Sequence, residues 1–299
     1  MNWRRCGRRA AQAQVVSTSV PDPDWSMLLD EALAEIFQRL PLPERLQVVP
    51  MVCKNWKKVA CDPTSWRVID MVPWIQQKMD AECMWEYDCE PVVDRLVKIL
   101  VDRSRGQLRE LRTMYVSDDA IEYMADRCPL LEVLTMQSSL GVTNKSALKL
   151  ATMSPKLRHL DVSDCYNISK QALMAFGDNC PSLEWLGRNM VNQNATNHAF
   201  EMASSPPGGD EEAITMSRHY PRLKHLEMKK TCISDRGLRH LAIGCRNLQS
   251  LNVACCYVLS PKALDDVSRN CTNLREFTKP ITPRMHISPN DFQATMLFE

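Results

Sequence analysis

Residues 221–260 read PRLKHLEMKKTCISDRGLRHLAIGCRNLQSLNVACCYVLS. Leu223, Leu226 and Met228 make an L-x-x-L-x-L string, the alternation of a short strand with one buried face. From Ser234, apolar residues return at +4 (Leu238) and +7 (Leu241), a small residue at +8 (Ala242) and a cysteine at +11 (Cys245). That spacing is one face of a helix, and Ser234 is a natural N-cap for it. Leu248 then begins the string again, 25 residues after Leu223. A unit of one strand and one helix cannot hide its apolar faces alone, so copies must stack.

The same unit runs in both directions. Strand anchors fall at Leu131, Leu157, Leu183, Leu223 and Leu248, with a weaker one at Leu274, at spacings of 26, 26, 40, 25 and 26 residues. The helical half repeats from Ser117, Thr143, Ser169, Gly209, Ser234 and Ser260. Cysteine closes four copies, at Cys128, Cys180, Cys245 and Cys271, while Cys165 and Cys256 follow strands. The repeats, over residues 105–279, resemble the cysteine-containing leucine-rich-repeat subclass. The long spacing after Leu183 reflects an insert near 189–209, rich in Asn, Ser, Pro and Gly. It reads as an exposed loop between strand and helix, either a tolerated insertion or a partner contact.

Composition narrows the function classes. Among 299 residues, 44% are apolar and 24% charged, as in a chain with a folded core. The net charge is +1, and residues 1–20 hold Arg4, Arg5, Arg8 and Arg9 with no acid, so the remainder nets −3. That argues against a nucleic-acid partner. No stretch approaches the ~18 apolar residues of a membrane span, and no secretory h-region opens the chain. The 13 cysteines therefore read as reduced thiols in the nucleus and/or cytoplasm. They form no paired C-x-x-C set, so packing explains them better than metal or thiol catalysis, Cys165 beside His159 included. Nine glycines, and no P-loop, G-x-G-x-x-G, H-E-x-x-H or Ser-His-Asp order, leave no catalytic motif; neither cofactor nor metal is expected.

The texture of residues 25–66 is different. Leu29, Leu33, Ile36, Phe37 and Leu40 mark one amphipathic helix stopped by Pro41; Leu42, Leu46, Val49 and Val52 begin a second; Val52, Cys53, Trp56, Val59 and Ala60 carry a third. Leu28 with Asp30 and Glu31, Ile36, Leu40-Pro41-Leu42, Val52-Cys53, Trp56, Asp62-Pro63 and Trp66 resemble an F-box. Leu29, where many F-boxes have proline, and Pro50 depart from the pattern. The expected fold is α/β: a basic tail at 1–20, a three-helix F-box at 21–66, and a linker with a capping helix at 67–104. The repeats and an irregular tail at 280–299 follow. An F-box before such repeats resembles the F-box/leucine-rich-repeat class, and the string LGRNM and the DEEAI then RLKHLEM return are similar to the plant SKP-interacting (SKIP-like) F-box proteins.

The resemblance implies a non-catalytic substrate-recognition subunit of an SCF-type (Skp–cullin–F-box) ubiquitin ligase. It would bind a Skp-type adaptor, and through it cullin, with Leu28, Ile36, Leu40, Leu42, Val49, Val52 and Trp56 as candidate contacts. Internal packing of three short helices is the competing use of the same side chains. The alternatives are a repeat scaffold or inhibitor that binds the adaptor without delivering substrate, and a small-ligand sensor. About six repeats make only an open arc, and the strands lack an Arg/Lys cluster for an anionic ligand. In L-x-x-L-x-L the x residues of the strand face the open concave side. There His159, Asp161, Trp185, Asn189, His225, Glu227 and Lys229 are the candidate contacts to a target protein. Trp185 stands out as an aromatic amid polar neighbours, anchoring a partner or packing under the insert.

Overall fold

The structure is a computed structural model that describes residues 25, 28–82, 89–190 and 208–280. The insert at 191–207, residues 83–88 and both tails lie outside the described residues, and with them the readings made of those segments.

Helix α1 spans Asp30–Gln38, with Asp30 and Glu31 in its first turn, where carboxylates complement the helix dipole. Leu33, Ala34 and Phe37 form its buried face. The second stretch is π-helical over Glu44–Val48 and continues as α2 over Val49–Val52. Pro50 is the reason: its ring would collide with the carbonyl of Leu46 in a regular helix, and it has no N–H to donate. The wider turn, in which the Val49 N–H reaches the Glu44 carbonyl, makes room. Helix α3 (Lys54–Ala60) and a 3-10 turn (Pro63–Trp66) complete the unit.

Eight parallel strands follow, paired in chain order: β1 (Val68–Asp70), β2 (Glu110–Met114), β3 (Val133–Gln137), β4 (His159–Asp161), β5 (Trp185–Gly187), β6 (His225–Glu227), β7 (Ser250–Asn252) and β8 (Glu276–Thr278). Register is one leucine to the next: Leu134, Leu160, Leu186, Leu226 and Leu251 are successive partners and all are essentially inaccessible. Burying each contributes about 1.5–3 kcal/mol. Helices α4 (Val72–Glu82) and α5 (Glu90–Ser104) both lie between β1 and β2; from there α6 (Asp118–Arg127), α7 (Asn144–Met153), α8 (Lys170–Asn179), α9 (Asp210–His219), α10 (Asp235–Gly244) and α11 (Pro261–Asn270) alternate with the strands.

The sheet begins earlier than the leucine spacing implies. β1 lies in the stretch expected to be a linker, because Trp66, Ile69 and Met71 fill the buried positions that leucines fill elsewhere. Helix α5, expected as a cap, instead takes the place of a repeat helix beside α6. Its Asp94 accepts from the Ser117 N–H (3.0 Å) and hydroxyl (2.5 Å). The arrangement recurs: Asp118 holds Thr143, Asn144 holds Ser169, Asp210 holds Ser234 and Asp235 holds Ser260. Each hydroxyl residue in turn caps its own helix. The ladder skips one step, between α8 and α9, where Lys170 and Gly209 stand in place of the acid and the hydroxyl.

That step flanks the insert and is closed by other means. Arg188, in the place of the last apolar residue of its string, is fully buried and pairs with Glu212 through both carboxylate oxygens at 2.9 Å. Its other donors meet the carbonyls of Val162, Cys165 and Ile168, so all five guanidinium N–H groups are satisfied. On re-entry Gly208 has φ +71°, and a Cβ there would meet Thr231 Cγ2 at 2.7 Å; only glycine fits.

Candidate functional site

Two surfaces follow from this architecture. The first is on the F-box unit. A small core of Leu33, Ala34, Phe37, Val49, Val59 and Ala60 is flanked by half-buried Leu28, Leu40 and Trp56; the Trp56 ring lies 5.2 Å from Phe37. Of the residues expected at an adaptor interface, Leu42 and Val49 are buried within the chain, Leu42 in the main core and Val49 in this one. Their use is packing: three short helices have too little apolar surface to leave both free. Ile36 (41% exposed) and Val52 (54%) do face outward. Met51 (83%), Val48 and Leu29 (74%), none of them among the expected contacts, are exposed as well.

Arg45 joins this unit to the solenoid. It is buried, donates to the carbonyls of Ser65 (2.5 Å) and Val68 (3.0 Å), and its guanidinium lies 4.5 Å from the Trp66 ring centroid. Desolvation lowers its pKa to about 10, so the side chain is still charged at neutral pH. Between this joint and α4 lies a cleft of 790 Å³, lined in part by Leu40, Pro41, Asp70, Trp74 and Arg112. Its lining comes from both the stretch read as F-box and the stretch read as linker.

The second surface is the concave sheet face. The structure brings His159, Asp161 and Trp185 together: the His159 and Trp185 rings are stacked, centroids 3.9 Å apart and 6° from parallel. Gly187 makes this possible, since a Cβ there would fall 2.6 Å from Asp161 Oδ1 and 2.8 Å from Trp185 Cη2. Desolvation lowers the His159 pKa to about 4, so the imidazole is neutral near pH 7. Asp161 is buried and accepts from Gln137 Nε2 (2.6 Å) and the Ser163 N–H (3.0 Å).

Asn189, Glu227 and Lys229 form a second group beside it. Asn189 is buried, donates to Glu227 Oε2 (3.0 Å) and accepts from the Lys229 N–H (2.8 Å); it braces the sheet rather than presenting itself. Glu227 also pairs with Lys229 Nζ at 2.9 Å. Burial pushes the Glu227 carboxyl up, but the hydrogen bonds from Lys229 and Asn189 outweigh it and leave the pKa lowered. His225 is the β6 neighbour of Trp185 in register.

Chemistry of the catalytic kind finds little support here. Cys165 is buried, bonded to the Met136 carbonyl (3.0 Å), and burial raises its pKa to about 12. Cys128, Cys180 and Cys245 are pushed up to about 12 for the same reason, which makes them packing residues. Among the described residues no cluster of His, Cys, Asp and Glu could hold a metal ion, and no helix is long and apolar enough to cross a membrane.

Comparison with known proteins agrees with this anatomy. A family model for F-box-like domains matches residues 30–71. The chain is similar to F-box protein SKIP1 of Arabidopsis thaliana, with 33% identity over 268 residues that cover 88% of both chains. Putative F-box/LRR-repeat protein 19 of the same plant is 32% identical, over 87% of this chain and 88% of its own. F-box protein FBW2, also of Arabidopsis thaliana, is 32% identical over 78% of this chain and 68% of its own. The solved structure titled "Crystal structure of Rad7 and Elc1 complex in yeast" is 20% identical over 57% of this chain and 41% of that one, with a TM-score of 0.46, too slight a likeness to argue from. An F-box unit fused to a leucine-rich solenoid, and relatives of the same make-up over most of their length, place the chain in the F-box/leucine-rich-repeat family, whose members are in general non-catalytic substrate receptors of SCF-type ubiquitin ligases.

Proposed function

We propose that this chain docks on a Skp-type adaptor, and through it on cullin, by the outward apolar side chains of α1 and of the π–α2 stretch, and holds a protein target on the concave face. The observation that carries the reading is that Leu29, Ile36, Val48, Met51 and Val52 are exposed on a unit whose own core is already complete. Five such side chains on a small unit are the anchors that an interface buries. Arg45 and Trp66 fix that unit to the first strand, which supports the use of the sheet as a rigid presenting surface.

The test is a pull-down of the full chain with a purified Skp-type adaptor, wild type against an Ile36→Asp, Val52→Asp double variant. Circular dichroism confirms that both are folded, which exposed positions allow and Leu40 or Trp56 would not. Capture by wild type and loss in the variant support the reading. A wild-type chain that ignores the adaptor overturns it.

A further inference from the structure

The concave face has a charge of its own. Along the eight strands its outward positions carry Asp70, Glu110, Asp161, Glu227 and Glu276 against Arg112 and Lys229, five carboxylates to two cations. At the centre, the stacked His159–Trp185 pair lies beside Gly187, which has no side chain, and Gly187 stands in register between Asp161 and Glu227. Among the described residues Asp161 has no ion-pair partner, and Glu227 is served by Lys229, an ion pair with both side chains about a third exposed (38% and 30%). Such a pair is worth little in water and exchanges readily.

We infer that the concave face takes a basic segment of its protein target, with a lysine or arginine side chain set against Trp185 beside Glu227. A flat indole face stabilises a cation by its quadrupole, and the Glu227 carboxylate adds attraction and steers encounter. The inference rests on the receptor reading and names the class of target; Lys229 acts in it as a placeholder cation that the target displaces.

A library of random linear peptides selected on the full chain tests it. Selected peptides should be enriched in Arg and Lys and should bind about tenfold more weakly to Trp185→Ala, a loss matching ~1.4 kcal/mol. Glu227→Gln keeps shape and removes charge, so it serves even where Trp185→Ala fails to fold; it should weaken binding several-fold and flatten the salt dependence. Lys229→Ala should tighten binding, a sign that a structural role would not produce. Selection of acidic or uncharged peptides, no selection at all, or equal binding by Glu227→Gln overturns the inference. Adaptor capture is read separately on the F-box, so loss of the target class leaves the receptor reading standing, and a chain that ignores the adaptor removes the receptor reading whatever the peptides do.

Discussion

Arg188 and Glu212 meet through two N···O contacts of 2.9 Å in the dry interior, one on each side of the insert, 24 residues apart in the chain. The pair stands where the capping ladder is broken, and it draws α9 back onto the sheet. Taking two charges out of water is expensive, and only the full set of partners offsets it. Glu212→Ala should therefore destabilise the protein by about 3–5 kcal/mol, because it strands a buried guanidinium. Replacing both residues by leucine should cost less than Glu212→Ala alone, since no buried charge remains. Thermal unfolding of the single and double variants checks the order; a milder single variant sinks the account.

The ladder predicts a smaller, repeatable effect. Hydrogen bonds from the Ser260 hydroxyl and N–H hold the Asp235 carboxyl below its usual pKa. Asp235→Ala should cost about 1–2 kcal/mol, the range of a lost cap or charge-assisted bond. The sign for pH follows from the depressed value: the contribution is present above the unfolded carboxyl pKa and is lost as pH falls through the folded one. Urea titrations at neutral and acid pH should show the variant closing on wild type in acid.

His159 titrates in a different window. Its pKa falls from 6.5 to about 4 on folding, by desolvation, so the neutral ring is the form that folding favours. Its contribution is complete above pH 6.5 and declines as pH drops toward 4. His159→Phe keeps an aromatic ring to stack on Trp185 and removes the titration. Between pH 7 and 5 its melting temperature should fall less than that of wild type. Equal slopes would mean that the imidazole is as solvated folded as unfolded.

Thiol reactivity should separate cleanly. Cys61 and Cys232 are exposed, whereas Cys128, Cys165, Cys180 and Cys245 are buried with their pKa values raised to about 12. Alkylation mapped by mass spectrometry should label the first two in the native protein and the other four only in denaturant. Rapid native labelling of Cys165 would reopen thiol chemistry on the concave side.

Much of the fold is legible in the spacing of Leu131, Leu157, Leu183, Leu223, Leu248 and Leu274, because a parallel stack places one anchor per turn. Ser117, Thr143, Ser169, Ser234 and Ser260 cap the helices that their spacing implies. β1 escaped notice because the buried positions in and around it hold Trp66, Ile69 and Met71: the pattern survives but the leucines do not. Arg188 was hidden for another reason, since a charge in a core position makes sense only with a partner from beyond the insert. In the F-box unit, helical periodicity puts Leu29, Leu33, Ile36, Phe37 and Leu40 on one broad face, yet it does not say that Leu33 and Phe37 are buried while Leu29 and Ile36 are exposed. On the concave face the strand alternation named His159 and Trp185, while their stacking depends on Gly187, a residue whose importance is the absence of a side chain.

Trp66 ends the F-box unit and Val68 opens the sheet, with Arg67 alone between them and Arg45 bonded across the joint. No swivel separates whatever grips the F-box from whatever rests on the strands. From β1 to Trp185 on β5 is four strand spacings, roughly 19 Å at about 4.8 Å each. On the proposed receptor role the solenoid would work as a gauge block: a cargo seated on Trp185 would be offered at one bearing and one reach, and adding or deleting a repeat ahead of β5 would change both in fixed steps.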